Sequence, residues 1–135
     1  MSIEGKWNLD KSENFEEYMK EVGVGLLTRK AAANIKNSLV IKVNGNKWEV
    51  AQLSTFKNTE LNFTLDEEFD ETTPDGRKMR TKIYKDGDKL VQSQKAVKDG
   101  EKDSIIERFL EGDRLVCVLK VVGTSVVSRR EYVRA

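Results

Sequence analysis

Apolar and polar positions along this chain follow two periods, first two residues, then three to four, then two again to the end. Trp7 and Leu9 alternate with polar neighbours across residues 5–12, the pattern of a half-buried strand. Phe15, Tyr18, Met19 and Val22 then recur at three- and four-residue spacing and define one apolar helix face, read as core. Asn14 precedes that run with Glu17 three residues on, which predicts a capping box at the helix start. Gly23 and Gly25 end the helix. A second, alanine-rich helix is predicted from about Leu26 to Ile35, carrying Arg29 and Lys30.

After residue 37 the chain reads as strand, turn, strand. Asn44-Gly45 is a strong hairpin signal between Leu39–Val43 and Trp48–Leu53. Asp86-Gly87-Asp88 separates Thr81–Tyr84 from Lys89–Gln94 in the same way. Turns at Lys98-Asp99-Gly100-Glu101, Glu111-Gly112-Asp113 and Gly123 divide the rest, and the last strand covers Val126–Val133. The pattern yields about ten strands with no βαβ crossover. A mostly β fold follows, a ten-stranded antiparallel up-and-down barrel closed on itself, because closure removes exposed sheet edges. A barrel of that width leaves interior room for a ligand. The helix pair after the first strand is placed to cap its open end.

Composition narrows the function. The 135 residues suit one domain over 1–135, and 24 basic against 23 acidic residues leave a net charge of +1. That balance argues against nucleic acid as the main partner, which would call for a clustered basic excess. Leu115-Val116-Cys117-Val118-Leu119, the longest apolar stretch, is far too short to span a bilayer. Gly5-Lys6-Trp7 already reads as the fold beginning, with no basic and apolar leader ahead of it. The single cysteine, Cys117, falls within a strand and reads as a small core residue in a reducing compartment. With no histidine, neither a Ser-His or Cys-His nucleophile nor a His-containing zinc site is available, and one cysteine makes no thiolate cluster. No catalytic residue, metal ligand or cofactor is proposed. Most carboxylates fall in turns or alternate with lysine on strands.

The most informative chemistry lies near the C-terminus. Side chains two apart in a strand share a face, so Arg130 and Tyr132 point together, as do Val126 and Ser128. Two readings stand. On an exposed edge strand both touch water. On the inner face of a barrel they form a guanidinium–phenol pair suited to a carboxylate guest, with Arg supplying a two-pronged donor and Tyr one more hydrogen bond.

Taken in order, several segments resemble the intracellular lipid-binding proteins, closest to the fatty-acid-binding proteins of heart, adipocyte and invertebrate type. They are Gly5-Lys6-Trp7-Asn8-Leu9, Asn14-Phe15-Glu16-Glu17-Tyr18-Met19, Gly23-Val24-Gly25 and Ser54-Thr55-Phe56-Lys57-Asn58-Thr59-Glu60. Glu68-Phe69-Asp70-Glu71-Thr72-Thr73, Asp75-Gly76-Arg77-Lys78 and the C-terminal Arg-x-Tyr complete the set. The resemblance covers essentially the whole chain. It implies a ten-stranded barrel (a β-clam) with a helix-turn-helix lid and a non-catalytic, monomeric carrier of long-chain fatty acids. It places the carrier in the cytoplasm, and some relatives also enter the nucleus.

The resemblance also implies a carboxylate site made of Arg108, Arg130 and Tyr132, with Arg108 taken from Ile105-Ile106-Glu107-Arg108-Phe109. A slip of one residue would exchange Glu107 for Arg108, or Arg129 for Arg130, on the inner face. Phe15, Tyr18, Met19, Phe56 and Asp75 match family positions that line the cavity or its portal. Their alternatives are lid packing for the first three, a hairpin phenylalanine and a plain turn aspartate. Asn37 stands where many relatives have proline and is expected to alter only the entry to the second strand. An internal acid partner for the arginines is a further expectation, with no residue assigned. A retinoic-acid carrier is the alternative of the same fold. Contact with anionic membranes through Lys20, Arg29 and Lys30 of the lid is the alternative of another kind, against a solvated helix face.

Overall fold

A computed structural model describes residues 2–33 and 35–135. β1 (Gly5–Glu13) runs directly into two short helices, α1 (Phe15–Glu21) and α2 (Leu26–Ala33). Nine strands follow: β2 (Ser38–Asn44), β3 (Lys47–Leu53), β4 (Thr59–Thr64), β5 (Glu68–Thr72) and β6 (Lys78–Asp86), then β7 (Lys89–Ala96), β8 (Ser104–Glu111), β9 (Arg114–Val121) and β10 (Val127–Arg134). They form one antiparallel sheet in the order β4-β3-β2-β1-β10-β9-β8-β7-β6-β5. The ten-stranded, mostly β architecture expected from the alternation is therefore present, with its helix pair after β1.

The ladder is not closed throughout. β4 and β5 are the two ends of the sheet and share no strand pairing. Between them the chain is held by neighbours instead: Leu65 N–H donates to Asn46 O at 2.9 Å and Asp66 N–H to Ile83 O at 2.9 Å. At the hairpin Asn44-Gly45-Asn46-Lys47, Gly45 takes φ 64°, a left-handed turn value that a Cβ disfavours.

Side-chain alternation decides what faces inward. Trp7, Ile41, Ile83 and Leu115 are fully buried on the inner face and anchor the apolar core. Trp7 Nε1–H donates to Ile3 O at 2.9 Å, so its one polar atom is satisfied there. On β10, Ser128, Arg130 and Tyr132 are buried while Arg129 and Glu131 lie on the outer face. The antiparallel order sets the depth of each residue. Connections β1–β2, β3–β4, β5–β6, β7–β8 and β9–β10 all lie at the lid end, and β10 runs away from it.

Two local expectations change. Asn14 is not a side-chain cap: it sits at φ 61°, ψ 21° and makes no capping bond to the helix. β1 continues to Glu13, so the chain must turn from strand to helix within one residue. A left-handed Asn makes that corner, and its Nδ2 is free to donate to Val127 O at 3.0 Å. α2 ends at Ala33 rather than Ile35, and Asn34, which the predicted helix included, lies outside the described residues.

Candidate ligand-binding site

The interior encloses a cavity of about 210 Å³. All eight residues singled out from the sequence border it. Arg108, Arg130 and Tyr132 come from the strands, Phe15, Tyr18 and Met19 from α1, and Phe56 and Asp75 from the turns β3–β4 and β5–β6. The register of three strands sets the deep end. Arg108 pairs with Cys117 across β8–β9, and Cys117 pairs with Arg130 across β9–β10. The two arginines thus occupy one rung on alternate strands, with backbones roughly 10 Å apart at two strand spacings. Tyr132 lies one inward position further along β10. The off-by-one alternatives fall away: Glu107 faces outward between Lys89 and Lys120, and Arg129 faces outward to Glu111 and Glu131.

The two guanidiniums are held in different ways. Arg130 is 6% exposed, and its guanidinium lies 3.8 Å from the centre of the Phe15 ring. That cation–π contact offsets part of its desolvation. Arg108, half-buried, donates from Nη1 to Gln92 Oε1 at 2.8 Å. The Nε atoms of both are buried with no protein hydrogen-bond partner. Neither arginine forms an ion pair with a carboxylate among the described residues. Tyr132 is 3% exposed and donates its hydroxyl to Asn37 Oδ1 at 2.8 Å. Burial pushes the Tyr132 phenol up to about 12, so it remains a proton donor throughout the physiological range. Burial likewise raises the Cys117 thiol, which keeps it protonated rather than nucleophilic.

The mouth has its own polar arrangement. Burial alone would raise the Asp75 carboxyl, but the Arg77 guanidinium, with Nε at 2.6 Å from Oδ2, and Thr73 hold it below its ordinary value. Asp75 therefore borders the cavity but is committed to Arg77, away from the deep arginines. Phe56 is half exposed on its turn, and the neighbouring Lys57 donates to Pro74 O at 2.7 Å, joining the β3–β4 and β5–β6 turns. Tyr18 and Met19 are both lid core and cavity wall. The Tyr18 hydroxyl donates to Ser104 Oγ at 3.0 Å, tying α1 to β8.

Three buried residues escape a reading of the sequence alone. Asn37, expected to alter only the entry to the second strand, accepts the Tyr132 hydroxyl. The internal acid partner expected for the arginines does not pair with either of them among the described residues: Glu71, buried on β5, is bonded instead to Thr81, Gln92 and Gln94. Gln92 joins it to Arg108. Inward parity with Phe69 on β5 and with Leu90 on β7 was the available signal, obscured by the polar look of both strands. Arg29 is also corrected: half-buried, it donates from Nη1 to Val24 O at 2.7 Å and holds the helix turn rather than forming a free cationic face.

Comparisons with known proteins identify the family and the fold. A sequence model described as Lipocalin / cytosolic fatty-acid binding protein family matches residues 4–132. Fatty acid-binding protein homolog 6 of Caenorhabditis elegans is 60% identical over 130 residues, covering 96% of this chain and 95% of that protein. The crystal structure of apo lipid binding protein 8 of the same organism superposes with a TM-score of 0.95 at 40% identity, over 100% of this chain and 99% of that one. The Schistosoma mansoni fatty acid binding protein in complex with arachidonic acid has a TM-score of 0.88 at 32% identity, over 98% and 95% of the two chains. The chain belongs to the lipocalin / cytosolic fatty-acid binding protein family, a family of non-catalytic carriers.

Proposed function

We propose that this protein carries long-chain fatty acids, one per chain, head inward, with the carboxylate held by Arg108, Arg130 and Tyr132. The observation that supports this most is the pair of deep guanidiniums with buried, unpartnered Nε–H groups and no ion pair among the described residues. Buried donors without acceptors cost about 1–3 kcal/mol each, and a carboxylate supplies the missing acceptors together with a countercharge. On binding, the Tyr132 hydroxyl turns from Asn37 to the ligand. The tail supplies the affinity. At about 0.8 kcal/mol per methylene, roughly fourteen methylenes give on the order of 11 kcal/mol before ordering costs, consistent with micromolar to nanomolar binding. The arginines set head-group choice and orientation. A crystal structure of the oleate complex is expected to have the carboxylate within hydrogen-bond distance of Arg130 and Tyr132, with the tail running towards Phe56. A carboxylate at the mouth, beside Arg77 or Lys57, would overturn the head-inward reading. Retinoic acid carries the same head group, and its rank against oleate reads the tail preference alone.

A second reading, contact with anionic membranes through the lid, draws support from α2, where Leu27 is 87% exposed beside exposed Leu26. Lys20 is exposed and makes no ion pair among the described residues, while Lys30 meets Glu16 at 3.4 Å in an exposed pair of little strength. Each cation near an anionic surface contributes about 1 kcal/mol, screened by salt. Replacing Lys20 and Lys30 with Gln should leave oleate affinity unchanged while slowing stopped-flow transfer of a fluorescent fatty acid to anionic vesicles. A wild-type transfer rate indifferent to vesicle concentration and salt would instead mean release through water.

A further inference from the structure

Glu71 is a carboxylate buried in the cavity wall with no ion pair among the described residues, an arrangement that is costly unless its oxygens are fully hydrogen-bonded. They are. Thr81 Oγ1 donates to Oε1 at 2.7 Å, and Gln92 Nε2 lies 2.9 and 3.0 Å from the two oxygens. Gln94 Nε2 lies 3.1 and 3.2 Å from them. All three donors are neutral and almost fully buried.

A carboxylate only accepts, so an amide touching both its oxygens must turn its NH2 group towards it. Gln92 is thereby forced to present Oε1 on its other side, where Arg108 Nη1 donates to it at 2.8 Å. Reversing that amide would set oxygen against carboxylate and NH2 against guanidinium, two repulsive contacts at once. We propose that Glu71 is a positioning residue for Arg108: its charge fixes the Gln92 amide, and the Gln92 oxygen fixes the guanidinium that receives the ligand carboxylate. This rests on the reading of Arg108 as a carboxylate ligand given above.

The spacer has a physical advantage over a direct Glu–Arg pair. A carboxylate on the guanidinium would cancel its charge and compete with the ligand for the same N–H groups. A neutral amide oxygen occupies one N–H, restrains a long side chain that otherwise samples many rotamers, and leaves the positive charge available. Glu71 thus raises preference for an anionic head group although it is itself an anion in the same cavity.

That sign makes the test sharp. Glu71→Gln removes the charge with little change of shape. Gln92→Met removes the relay and leaves Glu71 with Thr81 and Gln94. Affinity for oleate and for oleyl alcohol is measured by calorimetry on wild type, both variants and the double variant, with Arg108→Gln in parallel. Each single variant is expected to weaken oleate about tenfold, the effect of losing one charged hydrogen bond, with oleyl alcohol unchanged. The double variant should be no weaker than either single, because both act on one line of contacts. Stronger or unchanged oleate binding by Glu71→Gln would mean a simple repulsive charge and overturn the proposal. Equal weakening of both ligands would mean damage to the cavity wall and would overturn it too, as would additive losses in the double variant. Arg108→Gln separates the two levels. If it leaves oleate binding at the wild-type value, the carboxylate reading of Arg108 itself falls. If it weakens oleate while Glu71→Gln and Gln92→Met do not, only the positioning role is lost.

Discussion

Arg130→Gln is expected to weaken oleate binding by about ten- to a hundredfold, and Arg129→Gln to leave it within about twofold. The two residues are neighbours of identical chemistry, so composition and net charge change equally in the two variants. Only the face differs. Arg130 is buried at the deep end of the cavity over Phe15, whereas Arg129 pairs outside with Glu111 at 2.9 Å and Glu131 at 3.3 Å. Glutamine keeps a donor and much of the volume of Arg130 but loses the charge and the forked geometry, which is where about 1.5–3 kcal/mol of a charge-assisted contact resides. Isothermal titration calorimetry of both variants with oleate checks this, with circular dichroism to confirm that each is folded. Arg129→Gln proving the more damaging change would place the head-group contact on the wrong face of β10.

The register that separates these two arginines is legible in the sequence itself. Strand parity alone puts Arg130 with Tyr132, and the hairpin signals at Asn44-Gly45 and Asp86-Gly87-Asp88 divide the β region where the turns in fact lie. Parity cannot choose which face is inner. That choice comes from the curl of the whole sheet around an interior, a property of ten strands together rather than of β10. Arg108 shows the same limit, since β8 offers Glu107 and Arg108 on opposite faces and only its pairing with Cys117 settles the matter.

What was not legible depends on distant partners. Asn14 looks like a helix cap because Glu17 follows at the right spacing, yet the requirement to leave β1 at Glu13 puts it in a left-handed corner. Arg29 reads as a surface cation on a polar helix face, but the Val24 carbonyl, exposed by the break at Gly23 and Gly25, draws its guanidinium inward. Glu71, Gln92 and Gln94 look like solvated strand residues because polarity is normally the mark of an outer face. They are inward because they satisfy one another, and that satisfaction spans β5, β6 and β7, residues far apart in the chain. Asn37 becomes meaningful only once β2 and β10 flank β1 and its Oδ1 meets the Tyr132 hydroxyl.

The division of labour between tail and head group is the claim from which the rest follows. The apolar wall treats oleate and oleyl alcohol alike, because their hydrocarbon chains bury the same area. On the proposed reading the deep end does not. An alcohol offers one hydroxyl and no charge to two guanidiniums and a phenol, leaving buried donors without acceptors. The measurement that tests this most directly is competitive displacement of a fluorescent fatty acid by oleate and by oleyl alcohol under identical salt and pH. Oleate is expected to displace the probe at about ten- to a hundredfold lower concentration than the alcohol. Equal potency of the two would contradict the account, since the arginines and Tyr132 would then contribute nothing to the choice of ligand.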